Sequence, residues 1–178
     1  MTMINIGGKH LSSITGIKKG DLQPNAVDVR LDKAFEMGSD TFILTNEIKE
    51  HRLKFEIFPD ADGYFFFSKD KCYEIIMENV VMIGENESGF VIVRSTLNRN
   101  GLFITSGLYD SSYFGPIAAC LHVNSGPAKI KKGTRIGQFV LFEAEQLGDG
   151  YNGDYGFNKD GTVKEMEKQL NVISNTAT

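Results

Sequence analysis

The sequence predicts a mainly β protein in which many short strands form a sandwich or a barrel. Runs rich in β-branched and aromatic residues recur at intervals of about 8–12 residues, and turn-forming clusters separate them. Residues 27–31 alternate between apolar and charged side chains, as a strand with one buried face does. With 178 residues, of which 41% are hydrophobic and 24% charged, the chain is predicted to form one domain spanning 1–178.

The strand candidates after residue 31 share this composition, and Gly, Asn, Asp, Ser or Pro bounds them. They are 65–67, 73–77, 80–83, 90–93, 117–123 and 136–142. Turn clusters at 84–89, 124–127 and 131–133 separate several of them. Residues 41–62 are the least regular stretch, which we interpret as a variable insertion.

Two segments are predicted to be helical. Residues 11–19 form a short helical turn, with Ser12 or Ser13 available as its N-cap. Residues 162–173 form a C-terminal helix, because apolar residues recur there at three- and four-residue steps. The residues of this apolar stripe are Val163, Met166, Leu170 and Ile173.

Composition excludes several classes of function. Lys and Arg total 19 against 23 Asp and Glu, a net charge of −4, which argues against a general nucleic-acid binder but leaves room for a nucleotide pocket. The N-terminus does not resemble a signal peptide, and the apolar runs are far shorter than the ~20 residues of a membrane helix. We therefore expect a cytoplasmic protein.

The motifs of common enzyme and metal sites do not occur. The sequence has no Walker loop, GxGxxG, GxSxG or HExxH. Cys72 and Cys120 lie far apart without a CxxC pair, so we expect buried reduced thiols rather than a disulfide or a zinc site. His122 lies within an apolar run and is interpreted as a core or interface histidine.

Three polar clusters are candidates for a binding site. Arg94, Ser95 and Thr96 follow an apolar run, with Arg99 close behind, and suit a phosphate chain; the alternative is a solvated strand end. Residues 107–115 place Asp110 in a glycine-bounded turn between tyrosines, which predicts a hairpin pocket with a candidate base, or a plain turn. The third cluster is 135–138.

The order of these motifs resembles the trimeric dUTPase and dCTP deaminase superfamily. The matching stretches are QPNAVDVRL at 23–31, RSTLNR at 94–99, GLYDSSYFG at 107–115 and RIGQ at 135–138. Residues 65–90 are similar to the deaminase branch. The resemblance covers 23–145, the predicted core, and leaves 146–178 as an arm and helix. It implies a distorted β-barrel or jelly roll of the dUTPase-like type, assembled as a homotrimer with sites at the subunit interfaces.

The two branches of this superfamily need different chemistry. Deamination of dCTP depends there on a glutamate five residues beyond the last glycine of the third motif, and Cys120 occupies that position. A carboxylate moves protons between water, ring and leaving amine, for which a cysteine is a poor substitute. The resemblance therefore implies a dUTP diphosphatase. The alternatives are a dCTP deaminase, a bifunctional deaminase–diphosphatase, and a non-catalytic nucleotide-binding or structural homologue.

The resemblance also implies roles for individual residues. Asp110 would orient or deprotonate the water that attacks the α-phosphate of dUTP, and Arg94 would neutralise the charge that builds up. Tyr113 would pack under the deoxyribose and exclude a 2′-hydroxyl. The remaining substrate-binding positions serve phosphates (Ser95, Thr96, Arg99, Gln138) or the uracil edge (Gly107, Leu108, Tyr109).

A metal and a mobile arm complete the implied site. Mg²⁺ would arrive with the triphosphate, and Asp28 is a candidate contact to it through water. Alternatively, Asp28 braces Arg30 or a neighbouring strand. Phe157 or Tyr155 would form a lid, or their segment is a plain turn. Tyr109 stands where isoleucine or valine is usual, which adds bulk beside the base.

Overall fold

The computed structural model describes residues 2–5 and 11–164, and these are mostly β as predicted. Its strands are β1 Thr2–Asn5, β2 Leu11–Ile14, β3 Val27–Met37, β4 Ile43–Leu44, β5 Lys49–Glu50, β6 Lys54–Ile57, β7 Tyr64–Phe67, β8 Lys71–Met82, β9 Glu87–Val93, β10 Leu102–Thr105, β11 Phe114–Val123, β12 Ala128–Lys131 and β13 Arg135–Glu143. One short helix, α1 Ser95–Asn98, is described. Within these ranges no helix has the length and apolar content needed to cross a bilayer.

Nine strands form a single antiparallel sheet that curls into a nearly closed barrel. The main path runs β1-β2-β8-β3-β13-β9, while β11 joins β8 to β10 and β6 pairs with β3. The long strand β8 is central because it pairs with β2, β3 and β11 along its length. Two small two-stranded sheets, β7 with β12 and β4 with β5, lie outside this sheet.

Strand β8 shows how the sequence separates an inner from an outer face. Tyr73, Ile75 and Met77 are buried in the core, whereas Cys72 and Glu74 are only half-buried. Successive side chains of a strand point to opposite faces, so the latter pair lies on the outside of the barrel. The same alternation in β11 places the odd-numbered residues 117–123 inside and the even-numbered ones outside. This outer face forms one wall of the cavity described below.

A β-bulge interrupts the pairing of β11 with β8. The register shifts between Pro116 and Ala118, next to a proline that has no N–H to donate. The phenol of Tyr109 fills the gap, since it accepts a hydrogen bond from the Ala118 N–H at 2.8 Å and donates to the Ala118 carbonyl. The Tyr109 hydroxyl thus takes the place of a neighbouring strand as hydrogen-bond partner of the Ala118 backbone, which accounts for the bulky residue noted in the sequence.

The predicted helical turn over 11–19 is wrong, because Leu11–Ile14 forms strand β2. Ser12 does not cap a helix: its hydroxyl donates to the Glu87 carboxylate and accepts from the Gly84 N–H at 2.9 Å. Pairing with β1 and β8 outweighs the local capping preference.

The predicted C-terminal helix over 162–173 lies mainly outside the described residues. Residues 162–164 are not helical, and Val163 forms an isolated bridge with Phe157. The stretch 41–62 is more regular than expected from the sequence, since it contains β4, β5 and β6.

Candidate functional site

Arg94 lies where β9 ends and α1 begins. Its backbone is extended, and its N–H donates to the Ile136 carbonyl of β13 at 3.1 Å. Its guanidinium donates to the Arg135 carbonyl at 3.2 Å. These contacts hold a half-buried cation at the edge of the sheet, while Ser95, Thr96 and Arg99 beside it are exposed.

Asp28 is the buried centre of this polar end. Its carboxylate is inaccessible to solvent and accepts a hydrogen bond from the Gln138 amide at 3.1 Å. The guanidinium groups of Arg94 and Arg135 each approach it to 3.4 Å, as does the amide of Gln23. The structure therefore brings together residues from three of the motifs singled out in the sequence. Their contacts match the bracing interpretation of Asp28, with Gln138 on the neighbouring strand and two arginines as partners.

Arg30 has a different partner from the one expected. Its guanidinium makes a two-pronged contact with Asp21, one arm at 3.0 Å, and donates to the Gly133 carbonyl at 2.8 Å. Burial acts to raise the pKa of Asp21, but the hydrogen bonds from Arg30 and the Lys18 amide outweigh it and lower that pKa overall. Asp21 and Arg30 thus form a structural ion pair next to the Asp28 cluster.

The segment 107–113 forms a hydrogen-bonded turn towards the opposite end of β9. Tyr109 and Gly89 exchange two backbone hydrogen bonds, at 2.8 and 3.0 Å. The turn closes with the Tyr113 N–H donating to the Asp110 carbonyl at 3.0 Å, while Ser112 adopts a left-handed φ of 71°. As a result the Asp110 side chain is exposed, and the ring of Tyr113 is buried below it.

A cavity of about 460 Å³ opens between this turn and the outer face of the sheet. Its size is that of sites for small organic ligands. Four of the predicted substrate-binding residues, Gly107, Leu108, Tyr109 and Tyr113, line it. The opposite wall contains Cys120, the position of the deaminase glutamate, together with residues that sequence reasoning missed, namely Phe35, Met37, Lys54, Glu74, Ile76 and Ala118. Only strand alternation in 72–76 and 117–123 hinted that such side chains share an outer face.

The segment after β13 contributes to the lining of the cavity. The N–H of Tyr151 donates to the Ser111 carbonyl at 2.8 Å, and its ring meets that of Tyr113 edge-on at 5.2 Å. Tyr155 also lines the cavity, and burial raises the pKa of both phenols. Phe157 instead packs on Phe114 at 5.2 Å. In the described part of the chain, the arm therefore packs against the turn of the same chain.

Asp110 and Arg94 do not meet within one chain. Asp110 lines a second cavity of about 450 Å³ with residues 144–152. Its neighbour Tyr109 pairs with Gly89, which lies five strand residues, or about 16 Å, from Arg94. The two side chains therefore lie towards opposite ends of β9.

The cavity wall at Cys120 carries no carboxylate of its own strand, but one lies opposite. Glu74 is the direct pairing partner of Cys120, and its carboxylate contacts the Lys54 ammonium at 2.7 Å. Burial and the adjacent Cys72 thiol raise the pKa of Cys120 to about 11. Both cysteines are free thiols as expected, although they are half-buried rather than buried. His122 is half-buried on the outer face.

The fold has a solved counterpart. The crystal structure of 2′-deoxycytidine 5′-triphosphate deaminase from Agrobacterium tumefaciens superposes with a TM-score of 0.56 at 14% sequence identity. The match covers 73% of this chain but only 43% of that one, so the present chain spans less than half of its length. At this identity the similarity establishes the fold: the barrel is of the type found in that deaminase.

Sequence comparison then establishes the family. The family model for dCTP deaminase-like proteins matches residues 6–144, and the chain belongs to this family. It is 28% identical to the probable deoxyuridine 5′-triphosphate nucleotidohydrolase of Methanopyrus kandleri over 75% of this chain and 86% of that protein. It is 30% identical to the dUMP-forming dCTP deaminase of Persephonella marina over 82% and 83%. These relatives are named as enzymes of two activities.

Proposed function

We propose that the protein is a homotrimeric diphosphatase that converts dUTP to dUMP and pyrophosphate. The observation that carries the proposal is the turn 107–113, which lines the first cavity and presents the exposed Asp110 carboxylate to the second, a neighbour that shares Leu108 and Tyr151 with the first. The Methanopyrus relative, named as a deoxyuridine triphosphate hydrolase, supports the same reaction. Cytoplasmic localisation stays a prediction.

The cavity would receive the base and the sugar. The N–H of Tyr109 is engaged with Gly89, so the amides of Gly107 and Leu108 are the donors left for the base edge. The Tyr113 ring is fixed by its hydroxyl, which donates to the Pro116 carbonyl at 2.8 Å, and by edge-on contacts with Tyr109 and Tyr151. A ring held this firmly can reject a 2′-hydroxyl by steric overlap, because it cannot move away.

The phosphates would bind at the Arg94 end of a neighbouring subunit. Arg94 and Gln138, both held by Asp28, lie beside the exposed Ser95, Thr96 and Arg99 and supply the cation and the polar donors. Asp110 accepts a proton from a water molecule as the water oxygen attacks the α-phosphorus. The bond between the α-phosphorus and the α–β bridging oxygen breaks, which releases pyrophosphate. Arg94 stabilises the charge that builds on the phosphoryl oxygens.

Magnesium fits this scheme as a companion of the substrate. The buried Asp28 carboxylate already faces two guanidinium groups and two amides, which supports the bracing alternative over the predicted contact to Mg²⁺ through water. Mg²⁺ keeps several waters and binds phosphates readily, and when bound it neutralises the triphosphate. In the proposed reaction, the protein contacts the water and the phosphates through Asp110, Arg94 and Gln138.

Deamination of dCTP is the second candidate, and one observation favours it. Glu74 lies opposite Cys120 in the cavity wall, one strand away from the position of the deaminase glutamate. The Persephonella relative is named for deamination that ends in dUMP. We place hydrolysis first because the Glu74 carboxylate is engaged with Lys54, whereas the Asp110 side chain is exposed.

The test is a product assay on purified protein with Mg²⁺ and dUTP, dCTP, dTTP or UTP offered separately. We expect dUMP and pyrophosphate from dUTP and no turnover of UTP. Asp110→Asn should lower kcat by orders of magnitude with nucleotide binding retained, while Asp149→Asn, on the same second cavity, serves as the matched control. Deaminated product from dCTP would favour the second candidate, and no turnover of any of the four nucleotides would favour a non-catalytic homologue.

A further inference from the structure

Three metal-ligating side chains converge on the outer face of the barrel. The sulfur atoms of Cys72 and Cys120 and a ring nitrogen of His122 all lie within 4.8 Å of one another. His122 pairs directly with Cys72 across β8 and β11, and Cys120 is the next residue on the same face of β11. The long sequence interval that argued against a metal site is removed by this strand pairing.

The separations suit one tetrahedral zinc ion. With Zn–S near 2.3 Å and Zn–N near 2.0 Å, a tetrahedron places sulfur atoms about 3.8 Å apart and sulfur and nitrogen about 3.5 Å apart. The Cys72 sulfur lies 3.3 Å from Nδ1 of His122, and the Cys120 sulfur lies within 4.8 Å of the other two ligand atoms. Side-chain adjustments smaller than a bond length would complete three of the four positions.

A contact behind His122 supports the same assignment. Nε2 of His122 lies 3.0 Å from the Thr105 hydroxyl. With its proton on Nε2, the ring donates to Thr105 and directs the Nδ1 lone pair at the thiols. Zinc-bound histidines are held in this way, with the far ring nitrogen donating to an oxygen that fixes the orientation of the ring.

The strand register disfavours a disulfide as the reason for the paired cysteines. The direct partner of Cys120 is Glu74, so Cys72 is its diagonal neighbour. Diagonal Cα atoms on antiparallel strands lie about 7–8 Å apart, beyond the usual reach of a disulfide. A metal ion bridges such a pair without moving the backbone.

We propose that Cys72, Cys120 and His122 bind one Zn²⁺ ion in the wall of the cavity. Two thiolates and an imidazole select zinc over magnesium or calcium, which prefer oxygen ligands. Cys120 and Thr105 both line the cavity, so the fourth position is open to it and takes a water molecule. Glu74 does not complete the set, since its carboxylate contacts Lys54. The site stands whether or not dUTP is the substrate.

The test measures metal binding by tag-free full-length protein. After dialysis against Zn²⁺ and then metal-free buffer, elemental analysis should find one zinc per wild-type chain. Substitution with Co²⁺ should give the near-ultraviolet band of sulfur-to-cobalt charge transfer. Cys72→Ser, Cys120→Ser and His122→Gln should each weaken binding by at least about tenfold. His51→Gln, at a histidine outside the cluster, is the matched control and should retain one zinc.

A thermal melt keeps the test decisive if a variant is unstable. Zinc should raise the Tm of the wild type and of His51→Gln, because a ligand bound only by the folded state stabilises it, and should leave that of Cys120→Ser unchanged. Wild-type protein that retains no zinc, or variants that retain as much as the wild type, would overturn the site. So would a Cys72–Cys120 disulfide formed in air in the presence of zinc.

Discussion

Removing one hydroxyl group, in Tyr109→Phe, should loosen the strand that forms the cavity wall. The phenol fills the bulge of β11 by accepting from the Ala118 N–H and donating to the Ala118 carbonyl. Phenylalanine keeps the ring, which packs edge-on against Tyr113 and Phe139, and removes these two hydrogen bonds. Each is worth about 0.5–1.5 kcal/mol net, which predicts a loss of about 2 kcal/mol in the free energy of unfolding.

For a chain of this size, that loss lowers the Tm by about 4–8 °C. The measurement is thermal and denaturant unfolding of wild type and variant at one protein concentration, since assembly makes the Tm depend on concentration. Tyr64→Phe is the control: Tyr64 is 36% exposed, and its variant should stay within about 0.5 kcal/mol of the wild type. If Tyr109→Phe is no less stable than this control, the hydroxyl does not hold the bulge.

Three further predictions concern the other polar residues. Co-expressed Arg94→Ala and Asp110→Asn chains should recover about one quarter of wild-type activity in randomly mixed trimers, because each site takes one residue from each neighbour; no recovery would place both residues in one chain. Asp21→Asn should flatten the acid limb of a stability profile measured by denaturant unfolding from pH 3 to 7. Because the pKa of Asp21 is lower in the folded state than its unfolded value near 3.9, the ionised carboxylate stabilises the wild type above that pH, and this stabilisation is lost as pH falls through the folded pKa. An equally steep acid limb in the variant would exclude the Asp21–Arg30 pair as the source of the acid limb. Asp28→Asn should lower the free energy of unfolding in urea by about 2–3 kcal/mol, because it removes a buried charge shared by two arginines. The Mg²⁺ concentration for half-maximal activity should stay unchanged, and a large rise in that concentration would restore the metal role of Asp28.

Strand alternation and turn chemistry were enough to predict the β class and much of the strand set. The predicted segments 73–77 and 80–83 proved to be parts of one strand, β8, since Glu78 and Asn79 between them continue the alternation with Asn79 buried. The Asn79 amide donates to the Thr15 carbonyl at 2.8 Å, and its oxygen accepts from the Arg30 N–H at 3.1 Å. In the sequence, Asn79 thus looks like the end of a strand, although in the folded chain its polar groups have partners and the strand continues.

The candidate site also has a part that the sequence predicts and a part that it does not. Asp28, Arg94 and Gln138 belong to three separate motifs, and their meeting follows from the pairing of β13 with β3 and β9. Strand alternation indicates that Glu74 and Cys120 lie on an outer face, but it does not show that the two residues are neighbours in one cavity wall. Their neighbourhood depends on the register of β8 against β11, which only the folded chain fixes. The same register brings Cys72 and His122 to Cys120.

The most direct test of the proposed reaction is turnover of dUTP in H₂¹⁸O, followed by mass spectrometry of both products. Attack of an Asp110-assisted water on the α-phosphorus places the heavy oxygen in dUMP and leaves pyrophosphate unlabelled. Label in pyrophosphate would mean attack on the β-phosphorus and would contradict the proposed roles of Asp110 and Arg94. Absence of turnover would contradict the diphosphatase itself.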